Sequence, residues 1–107
     1  MTDLTHTSFF AFVSAHRFAI IHFWAVWNGY DVKMKGLLQE HVPLDLRNRI
    51  AFGRLDVDPP EHCDLCRQHN LLNIPFLALY RDGVVVETLT GMREPEVVVQ
   101  HLTRLVS

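Results

Sequence analysis

The chain predicts an α/β domain in which helices cover both faces of a mixed sheet of four to five strands. Three observations carry that reading. Phe18-Ala19-Ile20-Ile21-His22-Phe23-Trp24 is an apolar run rich in β-branched and aromatic residues, as a buried strand requires. It leads directly into Asn28, a preferred N-cap, followed by Met34, Leu37 and Leu38 at helical spacing. Further on, Asp82-Gly83 separates two apolar runs and reads as a tight hairpin. The resulting order, (β)-α-β-α-β-α-β-β-α, joins parallel crossovers to one antiparallel hairpin.

Each element has a local reason. Thr7 or Ser8 can cap a first helix carrying Phe9, Phe10, Phe12 and Val13. Residues 18–24 form the strand that follows. The helix after Asn28 has Asp31 three residues beyond its cap, where a carboxylate can reach back toward the cap N–H. Pro43 and Leu44-Asp45 end this helix or begin a ragged second part. Ile50 to Val57 is the next strand, closed by Asp58-Pro59-Pro60. Glu61 to His69 reads as a short helix, with Asn70 at the left-handed position beyond its end. Phe76 to Arg81 and Val84 to Thr90 flank the hairpin turn. Pro95 suits the first position of the last helix, whose buried stripe is Val98, Leu102 and Leu105.

The chain's 107 residues suit one domain spanning residues 1–107. A net charge of −2 with no basic stripe argues against a nucleic-acid partner. Arg17 and His22 interrupt the only long apolar run, so no membrane span is expected. The N-terminus shows no basic segment followed by an apolar one, and two cysteines do not make a disulfide framework. The expectation is a cytoplasmic protein with reduced thiols. No cofactor is implied.

The stretch Phe23-Trp24-Ala25-Val26-Trp27-Asn28-Gly29-Tyr30-Asp31, followed by Lys33-Met34, resembles the thioredoxin active-site turn. The resemblance continues through Arg54-Leu55-Asp56-Val57-Asp58, Asn73-Ile74-Pro75-Phe76, Asp82-Gly83 and Thr90-Gly91, in the family's order. It implies a thioredoxin-like fold whose first strand, with so few residues before Thr5, is short or missing. The chain departs from the family at one place: Trp-Cys-Gly-Pro-Cys is replaced by Trp27-Asn28-Gly29-Tyr30-Asp31. A thiolate is the nucleophile of dithiol–disulfide exchange, so no catalytic residue is expected at Asn28 or Asp31. Gly36 falls where the family places a kink-making proline, leaving a bend less enforced.

Asn28 and Asp31 admit two readings, a good helix cap or a new polar site. The resemblance places His22 where the family has a buried acid and Arg54 where it often has that acid's lysine partner. Pairing of His22 with Asp31, directly or through one water, is one expectation, with Arg54 as a third buried polar group; the alternative is a neutral histidine satisfied by backbone or water. Ile74-Pro75 resembles the family's cis-proline loop, which receives extended peptide through its backbone. With Trp27, Gly29, Tyr30, Phe76, Gly91 and Met92 it predicts an apolar patch rimmed by Asn28 and Asp58, although Phe76 could instead pack inward.

Cys63-Asp64-Leu65-Cys66 lies on the wrong helix for the family's redox motif. It reads as spectator thiols, as a displaced redox pair, or, with His62 and His69, as ligands for a soft metal; no metal site is the preferred reading. The function expected is a redox-inactive adaptor or chaperone that binds a protein or extended peptide. The alternative is a thiol-disulfide oxidoreductase or redox sensor using Cys63 and Cys66. A homodimer that hides its apolar edge is the third reading.

Overall fold

The computed structural model describes all 107 residues. Its elements are β1 (Thr2–Leu4), α1 (Phe9–Ala15), β2 (Phe18–Trp24), α2 (Gly29–Glu40), α3 (Leu44–Arg49), β3 (Ala51–Asp56), α4 (Cys63–Gln68), β4 (Phe76–Arg81), β5 (Val84–Thr90) and α5 (Pro95–Leu105). The sheet has five strands in the order β1-β3-β2-β4-β5. β1 and β2 run parallel to β3, while β4 is antiparallel to both β2 and β5. The short first strand is therefore present.

β2 is central because it is apolar on both sides, as a strand with helices above and below must be. Alternation divides its side chains. Phe18 and Ile20 join Leu77, Leu79 and Leu89 under α2, α3 and α5. Ala19, Ile21 and Phe23 join Leu55, Phe76, Ala78 and Tyr80 under α1 and α4. His22, two residues beyond Ile20, points to the α2 side.

Several boundaries differ from the sequence reading. Ser8 stands at the N-cap of α1, but its hydroxyl makes no cap bond; it accepts from Thr5 N–H at 2.9 Å, and Phe9 N–H uses the Thr5 carbonyl. Phe10 is exposed because Phe9 and Val13, four apart, form the inward face. The helix read over Glu61–His69 splits into a 3₁₀ turn at Pro60–His62 and then α4, and β3 is Ala51–Asp56, shorter than Ile50–Val57. α2 ends at Glu40 and runs unbroken through Gly36. Arg47 donates to Gln39 O, tying α3 back to α2.

Backbone specials fall where short-range chemistry places them. Asn70 has φ 53°, and Asp82 and Gly83 have φ 51° and 79°, the paired left-handed residues of a tight hairpin. Gly53 on β3 has a steric role: a Cβ there would stand 2.8 Å from Leu4 Cδ1 and 3.1 Å from both Ile21 and Phe12. Its absence lets β1 and α1 close over the middle of β3. No helix is long and apolar enough to cross a membrane.

Candidate functional site

β2 ends at Trp24, and the chain turns through Ala25–Trp27 into α2. Asn28 fixes that turn from both ends of its amide. Its Oδ1 accepts from Tyr30 N–H at 2.9 Å, and its Nδ2 donates to the Ile74 carbonyl at 3.1 Å. The first bond is the N-cap the sequence predicts. The second joins the turn to the loop before β4, where the Ile74–Pro75 peptide is cis.

Asp31 does not reach back to the cap. Its carboxylate is buried and directed into the protein, with Oδ1 2.9 Å from His22 Nε2 and Oδ2 accepting from Ala25 N–H at 3.0 Å. The histidine is fully buried and its Nδ1 has no partner. Since a carboxylate only accepts, Nε2 carries the proton of this pair; an orphaned lone pair on Nδ1 is then cheaper than an orphaned N–H. The direct pairing of His22 with Asp31 is thus present.

Arg54 pairs with neither residue. Its guanidinium lies 3.9 Å from the centre of the Trp24 ring, and its Nε, buried without a hydrogen bond, is 3.7 Å from Asp3 Oδ1. A cavity of about 310 Å³ opens between Trp24, Val26, Asp31, Lys35 and Arg54. The Asp31 carboxylate is thereby one wall of a shallow space that two cationic side chains also border.

The predicted patch is rearranged. Phe76 is 2 % exposed and packs edge-on against Phe23 at 5.4 Å, so it contributes core and no surface. Ile74 and Pro75 are buried as well, Met92 packs partly onto the α2 side of the core, and Gly91 N–H is taken by Pro75 O at 2.7 Å. Gly29 is the first residue of α2 and has open space where a Cβ would stand. The exposed apolar side chains are Val26 (77 %), Trp27 (68 %), Tyr30 (58 %) and Val32 (71 %). Trp27 Nε1 donates to Asp58 at 3.0 Å, which holds the indole, and Lys33 lies 5.4 Å over the Tyr30 ring.

Val26 and Val32 were missed by the sequence reading. For Val32 a signal was available, since it falls off the helical spacing of Met34, Leu37 and Leu38; for Val26, in the turn beyond β2, there was none.

Cys63 and Cys66 are free thiols, the first exposed and the second half-buried. Burial pushes the Cys66 thiol above its ordinary value, and Cys63 beside it adds to the rise. That is the opposite of what activates a nucleophilic cysteine. The two histidines around them are committed elsewhere. His62 Nδ1 donates to Asp56 O at 2.6 Å, and His69 Nδ1 donates to Leu65 O at 2.7 Å while its Nε2 accepts from the Tyr80 hydroxyl. No three His, Cys, Asp or Glu side chains come together as a ligand set. Burial lowers the His69 pKa, with the bond to Leu65 opposing, and burial pushes Tyr80 up to about 12.

Comparison with known proteins agrees with this architecture. The thioredoxin family model matches residues 1–104. The chain is 29 % identical over 105 residues to a bifunctional thioredoxin reductase/thioredoxin of Mycobacterium leprae, covering 97 % of this chain and 22 % of that much longer protein. It is 31 % identical over 74 residues to a thioredoxin of Bacillus subtilis, covering 69 % of this chain and 68 % of the relative. Among solved structures, the Malassezia sympodialis thioredoxin superposes with a TM-score of 0.85 at 17 % identity, covering 99 % of this chain and 93 % of that one. The oxidised Plasmodium falciparum thioredoxin gives 0.83 at 20 %, over 100 % and 99 %. These two structures speak to the fold alone. The family model spans nearly the whole chain, and the fold sets the Trp27–Asp31 turn beside the Ile74–Pro75 loop: the chain belongs to the thioredoxin family.

Proposed function

We propose that this chain is a redox-inactive member of its family that works as a protein-binding adaptor through the surface at the start of α2. One observation carries the reading. The side chains that follow Trp27 and Tyr30 are an amide and a carboxylate, both tied into the fold, while Val26, Trp27, Tyr30 and Val32 remain exposed around them. Neither Asn28 nor Asp31 can form or break a disulfide. Four neighbouring exposed apolar side chains on a small domain are characteristic of an interaction surface.

The competing reading is a thiol-disulfide oxidoreductase that uses Cys63 and Cys66, and the thioredoxin relatives favour it in kind. The raised pKa of Cys66 and the hydrogen bonds that hold His62 and His69 to other partners weigh against it.

Insulin reduction by dithiothreitol separates the two. The adaptor leaves the onset of turbidity unchanged, and immobilised protein captures a partner that Trp27→Ala and Tyr30→Ala both lose. Accelerated turbidity abolished by Cys63→Ser overturns this reading in favour of the displaced pair.

A further inference from the structure

An extended polypeptide joins a protein edge by strand addition when the receiving backbone offers free N–H and C=O groups beside an apolar surface. Next to the Trp27–Tyr30 turn, the backbone available for this is that of residues 74 and 75. All of its polar groups are already engaged. Ile74 N–H donates to Asn73 Oδ1 at 2.9 Å, and the Ile74 carbonyl accepts from Asn28 Nδ2 at 3.1 Å. Pro75 has no N–H, and its carbonyl accepts from Gly91 N–H at 2.7 Å. The side chains of Ile74, Pro75 and Phe76 are buried in the chain's own core.

The Asn28 bond is not adventitious. Its amide is held at both ends, because turning it over would set Nδ2 against the Tyr30 N–H and an oxygen against the Ile74 oxygen. What the surface does present is side chains, on a turn made rigid by that same amide.

We infer that Asn28 and Asn73 form a latch that closes the 74–75 backbone to strand addition, so that the site accepts a folded partner with an apolar patch and rejects extended peptides. This rests on the adaptor reading and narrows its partner class. Asn28 is a positioning residue in this role: the partner meets Val26, Trp27, Tyr30 and Val32, and the latch decides that it meets nothing of the backbone.

The probe is reduced, carboxymethylated insulin B chain, an unstructured apolar polypeptide, titrated into wild type, Asn28→Ser, Asn73→Ala and the double variant. Binding is followed by calorimetry and by the amide resonance of Ile74. Serine retains an oxygen for the helix cap but not the donor to Ile74, so Asn28→Ser removes the latch and spares the cap. Wild type is expected to show no saturable binding at this site, and the double variant to bind saturably, with an affinity at least about tenfold above the limit that wild type sets, as newly freed hydrogen-bonding groups allow. The Ile74 amide should shift only in the variants.

Binding of the B chain to wild type with a shifted Ile74 amide overturns the proposal, as does a folded double variant that gains nothing. Should the double variant not fold, Asn73→Ala decides alone, since Asn73 is exposed. The partner capture described above is scored separately. Wild type that captures a folded protein and also binds B chain refutes the latch alone; wild type that captures nothing, with variants that gain B chain, refutes the adaptor alone.

Discussion

Truncating Asp31 to alanine would strand His22 Nε2 and the Ala25 N–H together, beside an Nδ1 that already lacks a partner. Each buried donor left without its acceptor costs about 1–3 kcal/mol. Urea denaturation of Asp31→Ala should show that loss, with an unchanged m-value. His69 offers a second measurement, through pH. Its pKa is lowered from 6.5 in the native state by burial, so the unfolded chain binds the proton more readily. The contribution of neutral His69 is therefore complete above pH 6.5 and is lost as pH falls through that value toward the lower native one. The urea midpoint of His69→Gln should depend less on pH in that window than wild type. Tyr80 completes the set: absorbance titration should find one of the two tyrosines un-ionised until a pH of about 12. At this scale the pairing of His22 with Asp31 was legible, since β2 and the first turn of α2 face one another. The bond from Asp31 to Ala25 was not, because nothing in residue order says that both carboxylate oxygens point inward. Nor was the fate of Phe76, whose strand position allowed either face until Phe23 supplied the packing partner.

The start of α2 combines a cap with a tether, and the two can be separated by choice of substitution. Asn28→Ala removes both and should destabilise by about 1 kcal/mol or more, whereas Asn28→Ser keeps an oxygen for Tyr30 N–H and should cost less. Thermal melts of the two variants, compared with wild type, test this order. In the middle of β3, Gly53 marks a position where backbone must pass close beneath Leu4, Ile21 and Phe12. Gly53→Ala should cost about 1–3 kcal/mol as Leu4 is displaced, visible as faster amide exchange in β1. The longer elements were readable, β2 from its continuous apolar run and α2 and α5 from helical spacing. The short ones were not: three residues of β1 carry no periodicity, and consecutive prolines at 59 and 60 replaced the first turn of a helix by a 3₁₀ turn.

The five strands leave two edges, and they are protected unequally. β1 is three residues long, but β5 is a seven-residue strand with Val84, Val85 and Val86 exposed. Glu87 is held by His101 and Arg104 of α5, which secures the strand against the domain without covering its outer side. A long apolar edge is the sort that pairs with other chains. Val86→Lys should raise the concentration at which light scattering detects association while leaving the melting temperature nearly unchanged. The layered architecture itself was legible because alternating strands, capped helices and one hairpin turn agree with one another at every level.

A further consequence concerns the amide of Ala25. Its hydrogen is held by Asp31, and Asp31 stays inward only while the first turn of α2 is seated on β2. Deuterium uptake at that single amide therefore reports from inside on an event at the surface: whatever binding, heat or substitution lifts the turn will speed it, and whatever clamps the turn will slow it. The domain carries its own gauge.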